Sequence, residues 1–241
     1  MKQTPIEWTD YSANPLRFRD ENGKVVWACV HASPGCINCY SEQIAKRLRR
    51  GGPFNVPTTS TLTPFLDEQE LRAMRTVKAA AGKRCFPFDM TDLFGDWVPD
   101  DLLNQVFSNV LECRCDVTWQ LLTKRIARAR EYLAWRWKDR LVPRHIWIGT
   151  SVEDQARADE RIPLLLQTPA AVRFISAEPL LGPVDLTRFP YRSLVAPGHT
   201  MHGADGIWFN ALKAIPGMPR LDWVIVGGES GPKARPCDLA W

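Results

Sequence analysis

The stretch VTWQLLTKRIARAREYLAWRWKDRLVPRHIWIGT, Val117–Thr150, decides how the rest of the chain is read. It starts with a short apolar, β-prone run at Val117–Thr123 and turns through the polar corner LTKR. A segment with apolar residues at helical spacing follows, and then a second β-prone run at His145–Thr150. Strand, helix, strand in that order is the unit of a parallel sheet. The rhythm recurs on both sides, with further strand candidates RCFPFDM at Arg84–Met90, VRFISA at Val172–Ala177 and DWVIVGG at Asp222–Gly228. None alternates strictly between apolar and polar, as expected of strands covered on both faces. DDLLNQVFSNVLEC at Asp100–Cys113 and EDQARADERIPLLLQ at Glu153–Gln167 supply further helices, the first opening on aspartates that suit a helix N-terminus.

The first third is less regular. IEWTD (Ile6–Asp10) reads as an opening strand, Tyr40–Arg50 as a helix, STLTPFL (Ser60–Leu66) as a second strand, and Asp67–Gly82 as a helix ending at Gly82. The sum is roughly seven βα steps, close to a TIM-like (β/α) barrel of about 250 residues. After GGESGPKARPCDLAW the chain stops where a barrel needs another helix and strand, so a partial or open barrel in a single domain, 1–241, is expected. Thr187–Arg220 is rich in Pro, Gly and aromatic residues and too long for an ordinary loop, so it reads as an insertion or lid before the last strand. It carries His199 and His202, read as loop residues because no third ligand stands nearby.

A chain of 241 residues with 45% apolar content can bury one sizeable core. No apolar run is long enough to cross a bilayer, and MKQTPIEWTD lacks a signal-peptide layout, which predicts a cytosolic protein. A net charge of +4 permits nucleic-acid binding without demanding it. The one basic run, Lys46–Gly52, reads first as a solvated helix end.

In βα folds the chemistry sits at the C-terminal ends of the strands. Those ends read DMTDLF, LTKR, GTSVED, SAEPLLG and GGESG, and they bring Asp89, Asp92, Thr123, Lys124, Arg125, Ser151, Glu153, Ser176, Glu178, Glu229 and Ser230 to one rim. Any one of them can be a helix cap; five such motifs together point to a site. Glu178 and Glu229 end apolar strands, where a carboxylate is costly unless paired or liganded. Pairing with Lys124 or Arg125 is one reading, ligand binding the other. Gly227 and Gly228 let backbone approach a ligand closely.

CVHASPGCINCY, Cys29–Tyr40, packs three of the seven cysteines into one loop. An odd count with four scattered members is a poor disulfide framework, and such a cluster in a reducing compartment more often holds metal. Cys36 and Cys39 form a C-x-x-C pair, and the Ser33-Pro34-Gly35 turn can fold Cys29 back towards it. With His31 the set is a closed tetrahedral zinc site. Without it, three thiolates can hold three irons of a [4Fe–4S] cluster and leave the fourth open to an exchangeable ligand. Spacing alone leaves both open.

IEWTD, CVHASPGCINCY, FPFDMTDLF, LLTKR, GTSVED, SAEPLLGPVDL and DWVIVGGESGPKARP, in this order, resemble a family of phage and bacterial proteins of unknown function with a three-cysteine motif. That family is similar to the radical S-adenosylmethionine (SAM) enzymes. The first cysteine gap is six residues here, where radical SAM proteins typically have three. The resemblance implies that Cys29, Cys36 and Cys39 hold a [4Fe–4S] cluster. SAM would bind its open iron, and an external electron donor would drive SAM cleavage to start radical chemistry on an unknown substrate. It also likens Gly227-Gly228-Glu229 to an element that contacts the SAM amino group, and implies a further helix and strand beyond ARP. On the residues themselves, Lys124 and Arg125 are candidates for the SAM carboxylate or an anionic substrate, and Ser151, Glu178 and Glu229 for other SAM contacts. The rival expectation is a zinc-stapled phage accessory or nucleic-acid-binding protein without catalysis, using Lys46–Arg50 and the tryptophans at 135 and 137. Those two lie on different faces of one helix, so at least one should pack inward.

Overall fold

In a computed structural model, residues 1–52, 54, 61–194 and 206–241 are described. A seven-stranded sheet runs in the order β1 (Lys2–Gln3), β2 (Tyr11–Ala13), β6 (Arg84–Pro87), β7 (Thr118–Thr123), β8 (Ile146–Ser151), β9 (Val172–Ala177), β12 (Trp223–Val226). All neighbours pair parallel except β1 with β2. The strands β6 to β9 and β12 fall on the five apolar runs read from the sequence.

Helices alternate with these strands: α3 (Asp100–Val106, prolonged by a π-helical turn, Phe107–Leu111), α4 (Ile126–Arg136) and α5 (Gln155–Gln167). Because β6 to β9 are adjacent in both sequence and space, right-handed crossovers put all three helices on one face. The other face is aromatic. Trp147 and Trp223 pack at 5.9 Å, Phe174 and Trp223 at 6.0 Å, and Trp8 reaches Phe86, Phe174 and Trp223. The Arg84 guanidinium on β6 lies 5.8 Å from the Trp223 ring on β12. Four strand spacings of about 4.8 Å would hold these residues about 19 Å apart in a flat sheet. The sheet therefore curls strongly around its aromatic face, although its hydrogen-bonded ladder stays open at β1 and β12.

The first third departs from the expected βα steps. IEWTD is a turn, closed by Thr9 N–H on Ile6 O, which sends Trp8 to the inner face; the strand comes next, at Tyr11. STLTPFL does contain a strand, β5 (Thr63–Leu66), but in a separate antiparallel sheet with β3 (Leu16–Arg19) and β4 (Val25–Val26). Pro64 lacks an N–H and suits this edge position, not the centre of a parallel sheet. Helices α1 (Tyr40–Arg47) and α2 (Glu68–Thr76) form where expected, and the chain leaves α2 through a short turn to Gly82 in left-handed backbone.

Between β9 and β12, β10 (Phe189–Pro190) and β11 (Trp208–Phe209) pair antiparallel. The turn after β10 rests against α5, where Gln167 Nε2 donates to Ser193 O at 2.7 Å. The described part of the expected insertion is thus an outer-layer ribbon. His199 and His202 lie outside the described residues.

A Cβ at Gly149 would meet the buried Phe174 ring at 2.5 Å. Gly149→Ala should therefore cost about 1–3 kcal/mol through overpacking, read as a lower urea midpoint with an unchanged m-value.

Candidate cofactor site

Parallel strands deliver their C-terminal ends to the same edge, and the two-residue side-chain period selects which groups face inward. Trp147 and Ser151 lie an even number of residues apart on β8, as do Phe174 and Ser176 on β9. The aromatic face therefore turns polar at the strand ends. There a cavity of about 440 Å³ opens, lined by Leu122, Lys124, Arg125, Ser151, Ser176, Glu178, Gly228, Glu229 and Ser230. Cys29, Cys36 and Cys39 line the same cavity. The volume is that of a small-molecule site.

The cysteine loop is clasped by side chains from several strand ends. Arg125 Nη2 donates to Val30 O at 2.8 Å and Thr91 Oγ1 to Ala28 O at 2.7 Å. Gly35 N–H donates to Glu153 Oε1 at 3.2 Å, while Glu153 Oε2 accepts from Arg161 at 3.1 Å. Arg235 Nη2 donates to Pro34 O at 3.0 Å. Pro34–Cys36 forms one 3₁₀ turn, Cys39 N–H closes on Cys36 O, and α1 starts at Tyr40. Burial, and next the Asp92 charge, push the Cys29 thiol up to about 12, so it keeps its proton unless a positive centre binds it.

Several residues do other work than the sequence suggested. Arg125 is occupied: besides Val30 it pairs with Asp92 at 3.2 Å and lies over the Trp97 ring at 4.4 Å. Glu229 is taken bidentately by Arg235 and also accepts from Asn38 Nδ2 at 2.8 Å. Arg235 first, against a smaller effect of burial, pulls its carboxyl down to about 2. Neither Glu178 nor Glu229 bridges to Lys124 or Arg125. Glu178 avoids the expected burial cost because it is exposed, lying over Gly227, where a Cβ would come 3.1 Å from its Cδ. Lys124 Nζ meets Ser151 Oγ at 3.0 Å and still faces the cavity. Cys237 packs at Gly228, where a Cβ would come 3.4 Å from its own.

His31 Nε2 lies 3.1 Å from Glu42 Oε2 and is not part of the cavity wall. Among the described residues, no group of three or more His, Cys, Asp and Glu is gathered closely enough to hold a metal ion. A single zinc takes every ligand about 2 Å from one point, whereas His31 is turned to Glu42. A cluster takes each thiolate on a different iron, and the three cysteines that line this cavity are donors of that chemical type.

Some members of the site carried little signal. Trp8 lines the cavity floor, but IEWTD reads as strand. Asn14 donates to Asp89 Oδ1, a pairing between distant segments. Arg161 is absent from the residues expected at the rim although a signal exists: it follows Ala158 by three residues on the buried stripe of α5 with Ile162 and Leu165, where an arginine needs an inward partner.

Burial raises the Asp89 carboxyl from 3.8 to about 6, with the Asn14 amide opposing. Between those values the folded protein holds a proton that the unfolded chain releases, so stability falls as pH rises through that window. In cofactor-free protein Asp89→Asn should flatten the fall between about pH 4 and 6. Urea midpoints across that range test it; parallel profiles would show Asp89 ionised throughout.

No curated protein and no solved structure matches the chain. Residues 3–241 match the family described as "Protein of unknown function (DUF5131)", and the chain belongs to that family.

Proposed function

We propose that this chain is an iron–sulfur protein of the radical SAM type, built on a partial (β/α) barrel. Cys29, Cys36 and Cys39 would hold a [4Fe–4S] cluster with SAM beside it. One observation carries the reading: the three cysteines of one loop and the polar ends of five parallel strands line the same cavity. A cluster bound there supplies the one-electron cleavage of SAM that starts radical chemistry. An external donor provides the electron.

The chain's own residues divide into supports and contacts. Arg125, Glu153 and Glu229 hold the cysteine loop. Lys124, steadied by Ser151, offers a cation for the SAM carboxylate, and Glu178 an unpaired carboxylate for its amino group or ribose. Trp8, Phe86, Phe88 and Met90 line the cavity and keep water from the reacting groups. Phe88 sits there at φ 65, left-handed backbone that costs a bulky residue about 1–3 kcal/mol and that often marks functional sites. No helix among the described residues is long and apolar enough to cross a membrane.

The rival zinc-stapled reading draws less from the structure. Trp137 is buried and donates to Glu112 at 2.9 Å, which leaves Trp135 as the exposed tryptophan of that pair, and Lys46 pairs with Glu42 at 2.6 Å.

Protein purified without oxygen and reconstituted should hold about four irons and four sulfides per chain, with a broad visible absorbance that Cys36→Ala loses. One zinc and no iron would overturn the proposal. In loaded protein, Lys124→Met should weaken SAM binding by about tenfold, the loss of one charge-assisted contact, with iron content unchanged. Arg125→Met should instead lower iron retention, because the cysteine loop loses its tether; equal effects of the two variants would contradict this division of roles.

A further inference from the structure

A second cavity, of about 660 Å³, lies beside the antiparallel sheet, lined among others by Lys2, Arg17, Arg50, Asp67, Gln69 and Glu70. Arg17, on β3, is only 8% exposed, and its guanidinium carbon lies over the Trp27 ring, 4.3 Å from its centre. The Arg50 guanidinium approaches the same ring at 5.9 Å. Among the described residues the Arg17 side chain makes no hydrogen bond, and its buried Nε has no partner. Asp67 Oδ2 stands 3.9 Å from that nitrogen, beyond hydrogen-bond reach.

The two carboxylates of the cavity also serve other groups, Asp67 beside its loose ion pair with Arg17. Asp67 Oδ1 caps α2 by accepting from Glu70 N–H at 3.1 Å, and Glu70 Oε2 takes the Met1 amino group at 2.6 Å. With Glu70 matched to that ammonium, Lys2, Arg17 and Arg50 against Asp67 leave a surplus of two positive charges. Of this guanidinium only Nε is both buried and unpartnered; its other donors open on the polar cavity, and no described residue takes them by a hydrogen bond, which leaves them for a ligand. The contact with Trp27 holds the guanidinium at the cavity, and the fork of an arginine matches two oxygens of a phosphate.

We propose that this cavity binds a small phosphate-bearing anion, gripped by Arg17 with Lys2 and Arg50 at its mouth. The site is separate from the cysteine cavity and does not depend on the cluster. The probe is inorganic phosphate titrated against chloride at matched ionic strength, read by thermal shift and calorimetry on the full chain. Phosphate should give a saturable rise in Tm that Cys36→Ala retains and Arg17→Met loses, with affinity at least tenfold weaker in a Lys2→Gln, Arg50→Gln double variant. Without phosphate, Arg17→Met should melt no lower than the parent. An equal phosphate shift in parent and variants would overturn the proposal, as would a lower Tm of phosphate-free Arg17→Met, since Arg17 would then be serving the fold alone. If Arg17→Met does not fold, the double variant, altered only at exposed positions, decides.

Discussion

The mouth of the sheet is organised by one buried carboxylate. Asp92 is shielded from water, and its two oxygens accept from Thr123 Oγ1, Phe94 N–H, Lys124 N–H and Arg125. A charge in that position is tolerated only with such a set of donors, so the β6 and β7 corners must meet in one geometry. Arg125, fixed by Asp92 on one side and Trp97 on another, extends Nη2 to Val30 O beside Cys29. The position of the first cysteine is thereby tied to the register of the parallel sheet.

Two further carboxylates repeat the device. Glu153, at the β8 corner, holds the Gly35 N–H and is itself held by Arg161 from α5. Glu229, after β12, binds Arg235, which reaches Pro34, while Asn38 ties the same loop to Glu229 and to Lys233 O. The loop that carries three soft ligands is therefore constrained by residues far from it in sequence. Under the proposed cluster reading, such preorganisation would keep the ligands in place as the group enters or leaves. It also separates the residues that build the site from those still free to meet a ligand: the thiols, Lys124, Glu178 and the outer edge of Asp89.

Legibility followed the range of the forces involved. The runs at Arg84–Met90, Val117–Thr123, His145–Thr150, Val172–Ala177 and Asp222–Gly228 are strands because apolar, β-prone residues bounded by turn chemistry are a local signal. The shared rim followed, since parallel strands must end together. The first third misled because local signals compete there: IEWTD has strand composition, but its tryptophan is more stable against the inner aromatic face than in a ladder. Pro64 marked STLTPFL as an edge strand, without saying of which sheet. The pairings Arg235–Pro34, Asn38–Glu229 and Asn14–Asp89 have no local signal, because partners distant in sequence meet only in the folded sheet.

By itself the sequence determined the parallel order of the strands, the collection of polar residues at their ends and the presence of a three-cysteine loop, since periodicity, turn residues and ligand spacing are properties of short segments. Tertiary structure decided which of those polar residues are spent. Arg125 and Glu229 have the chemistry of ligand contacts, yet burial beside Asp92 and Arg235 commits them to holding the loop. Arg17 has the chemistry of a surface cation, yet burial on Trp27 leaves its Nε without a hydrogen-bond partner among the described residues. Whether a charge is a support or a binding group depends on which partners reach it once water is excluded, and only the folded chain fixes that.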